Sequence, residues 1–171
     1  MGTRASTLLL GGLLLLGGST GCARLVYNFG TVREGQIYRS AQPSPLLLRY
    51  SVARYGIRSL VNLRGRTPGF ESAFAARHGL RLFVLNLSSS RPPSHAQVER
   101  FLGIVSDPEN QPVLVHCRNG VDRSGYMLGV YRVEREGWDR DRALREMNRF
   151  LQWEWSNPVP QRVVREGLRG D

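Results

Sequence analysis

Residues 112–125 read PVLVHCRNGVDRSG, an apolar run followed by a loop and then by the start of a helical pattern. Five residues separate Cys117 from Arg123, so the loop can close around one tetrahedral oxyanion, with a thiolate beneath it and a guanidinium beside it. A buried strand over Val113–Val115 would deliver Cys117 to the end of a sheet, where open α/β folds place their ligands. The stretch therefore predicts an anion site between a central strand and the start of a helix.

Backbone amides are expected to supply much of the positive potential in this loop. A helix amino terminus carries unpaired N–H groups and the positive end of the helix dipole. Gly120 relaxes the backbone where the turn is tightest, and Gly125 allows close approach where the helix begins. We expect the anion to be held by the residues from the cysteine to the arginine, which are Arg118, Asn119, Gly120, Val121, Asp122 and Arg123.

The side chains of the loop predict nucleophilic chemistry. A helix amino terminus and a nearby arginine can lower the pKa of a cysteine to about 3.5–7.5, which would make Cys117 a thiolate before substrate binds. Arg123 can hold two phosphate oxygens with its planar fork. Ser124 is placed to donate a hydrogen bond to the sulfur, and His116 to orient the loop. A cysteine after an apolar run is usually a buried structural residue, but the glycine, arginine and serine positions around this one favour catalysis.

The loop resembles the P-loop of the cysteine-dependent protein tyrosine phosphatase superfamily, in particular its small bacterial dual-specificity-like members. The resemblance runs from about Asn28 to Leu151. It includes five further motifs, which are Tyr38–Pro43, Leu60–Arg64, Tyr131-Arg132, Gly137-Trp138 and Ala143–Met147. It implies hydrolysis of phosphate monoesters, on phosphotyrosine or dual-specificity protein substrates, through a phosphocysteine intermediate. It implies neither a metal nor another cofactor, because the loop itself supplies the positive charge.

One residue of that family's pattern is missing. Its members usually carry, on a loop upstream of the cysteine, an aspartate that protonates the leaving oxygen. The corresponding residues 85–94 read LNLSSSRPPS, with a serine near Ser89 where the acid is expected. Three explanations stay open: Asp122 acts as the acid, as in the myotubularin-like phosphatases; the substrate has a good leaving group; or the protein is a weak enzyme that mainly binds phosphorylated partners. The alternative for Asp122 itself is an ion pair or hydrogen bond that shapes the loop.

Other functions also fit parts of the sequence. One alternative is hydrolysis of inositol polyphosphates or pyrophosphates, which resembles the activity of relatives that lack the usual acid. Another is a phosphate-binding module with vestigial catalysis, which would need the same loop. Arsenate reduction is disfavoured because it needs further resolving thiols. Arg39 and Gln42 either border the phosphate pocket or make structural hydrogen bonds, and Arg64 is a candidate substrate contact.

The amino terminus reads as an export signal over residues 1–21. It has Arg4, an apolar core from Leu8 to Leu16 and then small residues. The sequence STGC before and at Cys22 resembles a bacterial lipobox, although Ser19 replaces the usual leucine. This predicts a periplasmic, membrane-anchored lipoprotein, with the outer membrane slightly favoured, and plain secretion as the alternative. Lipidation of Cys22 would leave Cys117 without a disulfide partner.

Composition indicates one globular domain. The chain has 171 residues and a net charge of +10, with 24 arginines and no lysine. Such a charge attracts anionic substrates and surfaces, but scattered arginines without a compact basic block do not favour nucleic acid as a partner. We expect residues 22–35 to be a linker and the start of the fold, and residues 36–171 to form the phosphatase domain.

Alternating strand and helix patterns predict an α/β fold with a central, mostly parallel sheet flanked by helices. Strands are predicted over residues 36–39, 57–63, 80–87 and 113–116. Helices are predicted over residues 44–55, 70–78, 94–106 and 124–136. A further helix is predicted to begin after its cap Asp139, and a last one to lie on the surface over residues 159–167.

Overall fold

The computed structural model describes residues 27–150 and 158–167. Its strands are β1 (Gly30–Arg33), β2 (Ile37–Ser40), β3 (Ser59–Asn62), β4 (Arg81–Val84) and β5 (Val113–His116). Its helices are α1 (Pro45–Tyr55), α2 (Gly69–Arg77), α3 (His95–Ser106), α4 (Asp122–Glu134), α5 (Arg140–Asn148) and α6 (Val159–Glu166). The predicted export signal, Cys22 and Leu151 lie outside the described residues.

The strands form one sheet in the order β1-β2-β5-β3-β4. The last four are parallel, and β1 runs antiparallel to β2 at the edge. This confirms the predicted α/β class with a mostly parallel sheet. The segment predicted as linker and start of the fold contributes the edge strand β1.

Alternate rows of the sheet face two separate cores. Tyr38, Leu114 and Leu60 are register partners, and they pack with α1 and α2 on one face. In the neighbouring row, Val115 and Val61 pack with helices α3 to α6 on the other face. Both faces of the sheet are therefore covered, as parallel sheets require.

The carboxyl ends of the four parallel strands meet at one edge, and a helix begins beyond each of them. α1 follows β2, α2 follows β3, α3 follows β4 and α4 follows β5. Four helix amino termini with their free N–H groups therefore lie along the edge that carries the predicted anion loop. The last row of side chains at this edge contains Ser40, His116 and Asn62, all buried.

Side chains that cap the helix amino termini mark where three of the helices begin. The Ser44 hydroxyl accepts a hydrogen bond from the Leu47 N–H at the start of α1. A capping box joins Ser94 and Gln97 at the start of α3, and Asp139 caps α5. These contacts confirm the predicted starts of the three helices.

Other boundaries differ from the prediction. α4 begins at Asp122, two residues before the predicted start at Ser124, because the Gly125 N–H already donates to the Val121 carbonyl. β4 ends at Val84 rather than at residue 87. The apolar pattern continues because Leu85 and Leu87 remain buried after the strand ends.

The last helix is also more buried than predicted. α6 buries Val163 and Val164 against the core, and Gly129 of α4 leaves the room that Val164 fills.

Among the described residues, no helix combines the length and the apolar composition needed to cross a membrane.

Candidate active site

The predicted loop joins β5 to α4 and brings Cys117 under the start of the helix. Cys117 follows the last residue of β5, and 2% of it is exposed. The Oγ atom of Ser124, in the first turn of α4, lies 3.5 Å from the sulfur. Cys117 is a free thiol, as its predicted role as nucleophile requires.

The surroundings of Cys117 favour its ionised form. Burial by itself raises the pKa of Cys117, but hydrogen bonds from the side chain and backbone of Ser124 lower it. The positive charge of Arg123 and the backbone N–H of Asn119 lower it further, so that the pKa lies below that of an ordinary cysteine. The sulfur is therefore a thiolate at lower pH than an ordinary cysteine would be.

Two buried side chains hold the crest of the loop from behind. Asn28 Nδ2 donates to the carbonyl oxygens of Asn119, at 3.3 Å, and of Gly120, at 3.2 Å. Arg39 Nη2 donates to the same Gly120 oxygen at 2.6 Å. These donors pull both carbonyls toward the body of the domain.

The opposite edge of the same peptide planes carries the loop N–H groups. The Arg118 carbonyl is also anchored, since it accepts from the Gln42 N–H at 3.1 Å. In a trans peptide the N–H points away from the C=O. Anchoring these carbonyls therefore turns the N–H groups of Asn119, Gly120 and Val121 away from the scaffold, as an anion-binding nest requires.

Gly120 is needed at the crest for two reasons. Its φ is +68°, a region that favours glycine. A Cβ there would also lie 2.6 Å from the Ala41 nitrogen and 2.8 Å from the Ser40 carbonyl carbon, both of which are backbone atoms. Gly125 meets the neighbouring helix α5 closely, since a Cβ there would lie 3.0 Å from Met147 Cγ.

Arg39 is a support beneath the loop. Its guanidinium is fully buried and lies 3.8 Å from the ring centroid of Phe150. Burial lowers the pKa of Arg39 to about 10, while the negative charges of Cys117 and Glu146 act in the opposite direction. These contacts support structural hydrogen bonding by Arg39 rather than a place at the border of the phosphate pocket.

A buried carboxylate beside the loop was not identified from the sequence. Glu71 Oε1 lies 3.2 Å from His116 Nε2 and accepts from Asn62 Nδ2 at 2.9 Å, while its Oε2 accepts from Gln42 Nε2. Burial raises the pKa of Glu71, but the hydrogen bonds and charge of its partners outweigh that effect and lower it. A glutamate in the first turn of a helix is usually an exposed residue that interacts favourably with the helix dipole. The sequence position of Glu71 therefore gave no indication of a buried role at the site.

Arg64 lies at the edge of the site beyond that carboxylate. Its backbone N–H donates to Asn62 Oδ1 at 2.8 Å, and its Nη1 donates to Gln42 Oε1 at 2.6 Å. The backbone N–H of Gln42 in turn binds the Arg118 carbonyl of the loop. The Arg64 guanidinium is therefore joined to the anion loop through a single residue.

The remaining predicted residues lie in the loop and in the first turn of α4. Arg118 and Asn119 are exposed, Val121 and Asp122 are buried, and Arg123 is half-buried. The Nε atom of Arg123 is buried, and it has no hydrogen-bond partner among the described residues. This donor is available to an anion in the loop.

The segment that should carry the acid borders the site without a carboxylate. The hydroxyl of Tyr126, on α4, donates to the Ser88 carbonyl at 2.9 Å, which holds residues 85–94 close to the start of that helix. Ser88 Oγ accepts from the N–H groups of Ser90 and Arg91, both at 3.1 Å. The turn is thus shaped by serine hydroxyls, and Asp122 is the carboxylate of the loop region itself.

The described part of the chain contains no group of three or more His, Cys, Asp or Glu side chains arranged to hold a metal ion. Arginine side chains, backbone amides and the helix amino terminus contribute positive potential at the site.

A free thiol at the start of a loop between the central strand and a helix of a mostly parallel sheet fits the expected class, that of the cysteine-dependent phosphatases of the dual-specificity type. The family described as "DSP-PTPase phosphatase fused to NAD+ kinase" matches residues 28–156. The chain belongs to this DSP-PTPase phosphatase family.

Two curated relatives are inositol diphosphatases. SIW14 of Saccharomyces cerevisiae is 31% identical over 129 residues, covering 72% of this chain and 45% of the relative. DSP1 of Oryza sativa subsp. japonica is 31% identical over 128 residues, covering 72% of this chain and 56% of the relative. The chain thus spans about half the length of these two relatives.

Solved structures give the same picture. The catalytic domain of the S. cerevisiae PP-IP phosphatase SIW14, in complex with citrate, has a TM-score of 0.72 at 28% identity, covering 80% of this chain and 83% of that one. P. aeruginosa TpbA has a TM-score of 0.71 at 26% identity, covering 82% of this chain and 84% of that one. SIW14 and TpbA differ in the activity that their names record. SIW14 is an inositol diphosphatase, whereas TpbA is a dual specificity protein phosphatase.

Proposed function

We propose that the protein is a phosphatase that uses Cys117 as its nucleophile and acts on substrates with a good leaving group. The observation that carries this proposal is the anchoring of three successive loop carbonyls, which turns the N–H groups of the same peptide planes away from the scaffold, in a loop that begins at a free thiol of lowered pKa. Few other chemistries need amides, a thiolate and an arginine fork around one tetrahedral group.

In the first step the Cys117 thiolate attacks phosphorus, the S–P bond forms and the bond to the leaving oxygen breaks. Arg123 and the loop amides hold the three phosphoryl oxygens and stabilise the charge that they carry in the transition state. In the second step water attacks phosphorus, the S–P bond breaks and phosphate leaves. Ser124, 3.5 Å from the sulfur, donates to the thiolate as it departs.

The missing carboxylate in residues 85–94 favours a leaving group that needs no proton. General acid catalysis is worth about 10²–10⁴-fold, so an alkyl phosphate would lose that factor here. When a phosphoanhydride bond is cleaved, the leaving group is a phosphate whose pKa is about 6. We therefore favour a diphosphate group on a polyphosphorylated small molecule as the substrate class, and the names of the two inositol diphosphatase relatives support it.

Phosphotyrosine on protein is the second candidate, and it was the first expectation from the sequence. The tyrosine phenol has a pKa of about 10, so it is a better leaving group than an aliphatic alcohol. The similarity to TpbA, of which one solved form is a complex with pTyr, supports this candidate. An anionic phosphate substrate is common to both proposals.

Asp122 as general acid is the competing mechanism. Its side chain is buried in the first turn of α4, where a carboxylate stabilises the helix start and has a structural role. Asp122→Asn should therefore lower turnover of aryl and alkyl phosphates by the same factor. A loss confined to alkyl phosphates would assign the acid to Asp122 instead.

The decisive test compares three substrates under single-turnover conditions. These are a diphosphoinositol polyphosphate, a phosphotyrosine peptide and the matching phosphoserine peptide, with acid quenching and mass spectrometry of Cys117. We expect phosphocysteine with the first two and rates that fall in the order given. Equal rates on the tyrosine and serine peptides would exclude the leaving-group proposal.

Substitution of the two cysteines in the chain supplies the control. Cys117→Ser should abolish turnover, whereas Cys22→Ser should retain it. Phosphate binding by the wild type without turnover or a trapped intermediate would instead support a phosphate-binding module.

We also propose export and lipid anchoring, which rest on the sequence of residues 1–22 alone. Expression in a Gram-negative host and membrane fractionation test this. The wild type should partition with the membrane and Cys22→Ala should not. A membrane-bound Cys22→Ala variant would contradict lipidation.

A further inference from the structure

The carboxylate of Glu71 joins the ends of three parallel strands. His116 ends β5, Asn62 ends β3, and Gln42 lies two residues beyond the end of β2. Each of them brings a side-chain nitrogen to one of the two oxygens of Glu71. A carboxylate only accepts hydrogen bonds, so it fixes which atom each partner turns toward it.

This constraint is passed on through the side-chain amide of Gln42. Since the Nε2 of Gln42 donates to Glu71, the Oε1 of Gln42 must face the other way. There it accepts from Nη1 of Arg64 at 2.6 Å. A guanidinium only donates, so the orientation of the Gln42 amide is determined from both ends.

We propose that Glu71 is a positioning residue that acts through Gln42 to hold Arg64 at the mouth of the site, where Arg64 binds a second anionic group of the substrate. This inference rests on the proposed function and specifies its substrate class further. The phosphoryl group in transfer is held by the loop, and the second group would be the neighbouring phosphate of a polyphosphorylated molecule.

The location of Arg64 supports this role. It follows the carboxyl end of β3, on the edge of the sheet that carries Cys117, and it is half-buried. The Gln42 residue that holds its guanidinium also binds the carbonyl of Arg118 in the loop. Within the described residues that guanidinium donates one hydrogen bond, to Gln42, so most of its five N–H groups face no protein acceptor.

The two successive contacts from Glu71 to Gln42 and from Gln42 to Arg64 form a relay, and this relay makes an unusual prediction for Glu71→Gln. The new amide can still accept from His116 and Asn62 through its oxygen, but it presents an NH₂ group to the NH₂ group of Gln42. The Gln42 amide must then turn over and point its NH₂ at the Arg64 guanidinium, which releases Arg64. The double variant Gln42→Glu/Glu71→Gln restores a donor opposite an acceptor at every contact.

The test measures kcat and KM for a diphosphoinositol polyphosphate and for phenyl phosphate, which carries a single phosphate. For the polyphosphate, Arg64→Ala and Glu71→Gln should each raise KM about 10- to 100-fold, the range expected for one hydrogen bond to a charged group, with a smaller change in kcat. For phenyl phosphate, KM should stay within about 2-fold of wild type. The double variant should return KM for the polyphosphate to near the wild-type value.

Arg81→Ala and Glu109→Gln are matched controls. They remove the same charges from an exposed pair at the other end of β4. Both should leave KM for the polyphosphate unchanged. If Glu71→Gln does not fold, Gln42→Ala breaks the same relay while keeping the Glu71 carboxylate and its contacts with His116 and Asn62, and it should raise KM alone.

Two results would overturn the inference. One is an unchanged KM for the polyphosphate in Arg64→Ala, and the other is a double variant no better than Glu71→Gln alone. Either result, together with phosphocysteine trapped in the wild type, would refute the relay and leave the proposed phosphatase standing. Absence of phosphocysteine in the wild type would refute the proposed function itself.

Discussion

The sulfur of Cys117 and the hydroxyl oxygen of Ser124 lie 3.5 Å apart, across the loop that joins β5 to α4. The hydroxyl and the backbone of Ser124 both lower the pKa of the thiol against the opposing effect of burial. Loss of the hydroxyl should therefore destabilise the thiolate.

We expect Ser124→Ala to shift the pH dependence of Cys117 alkylation by iodoacetamide toward higher pH. The thiolate is the reactive form, so a raised pKa moves the midpoint of the rate profile upward. Hydrolysis of phosphocysteine should slow as well, since the departing sulfur loses its donor. The exposed Ser72→Ala is a suitable control, and an unshifted midpoint in Ser124→Ala would contradict the assigned contact.

Gly120→Ala should abolish binding of phosphate or vanadate by the loop. A Cβ at this position meets the backbone of Ser40 and Ala41 at distances of 3.0 Å or less, so the loop crest has to move. Gly137→Ala is the matched control, because Gly137 has φ of +67° but nothing within 4 Å of the new Cβ. Both variants pay about 1–2 kcal/mol of backbone strain, and only the first should lose anion affinity in a calorimetric titration.

Arg39→Met should weaken both the fold and the loop. It removes the 2.6 Å hydrogen bond to Gly120 and the guanidinium that stacks on Phe150. We expect the free energy of unfolding to fall by about 1.5–3 kcal/mol, together with weaker vanadate binding. Arg54→Met removes an exposed arginine that lies over the ring of Tyr55, and it should cost less than about 1 kcal/mol. Equal losses in the two variants would argue against a supporting role for Arg39.

Arg132→Met should destabilise the domain without changing the chemistry of the site. Arg132 binds Glu146 through two nitrogens, at 2.8 and 2.6 Å, and also Glu136 and the Val32 carbonyl, both at 2.5 Å. Removing one partner from such a buried network typically costs about 3–5 kcal/mol.

Denaturant unfolding would measure this loss against a surface pair. Arg135→Met breaks the exposed pair with Glu99 and should cost less than about 1 kcal/mol. For Arg132→Met, kcat/KM per folded molecule should remain near that of the wild type. A loss of activity without a loss of stability would place Arg132 in the site instead.

Features with local signals could be read from the sequence. The loop from Cys117 to Arg123, the strand Val113–His116 and the capped start of α1 at Ser44 depend on residues close together in the chain. The fold class followed from the alternation of such elements. The start of α4 was placed two residues late, because Asp122 and Arg123 were assigned to the loop by their predicted chemistry rather than by helix pattern.

The supports behind the loop could not be predicted in the same way. Asn28 reaches Gly120 across 92 positions of the sequence, and Glu71 reaches His116 across 45. A single sequence contains no pattern that pairs such distant residues. Burial of charged side chains such as Arg39 and Glu71 also contradicts their usual exposure, and only the folded contacts explain it.

The complementary amide and carboxylate at positions 42 and 71 also constrain how the domain can evolve. Exchanging either one alone places two donors or two acceptors face to face, whereas exchanging both preserves the contact. Descendants of a common ancestor are therefore expected to inherit the two positions as a pair, and to show correlated substitution there when homologous sequences are aligned.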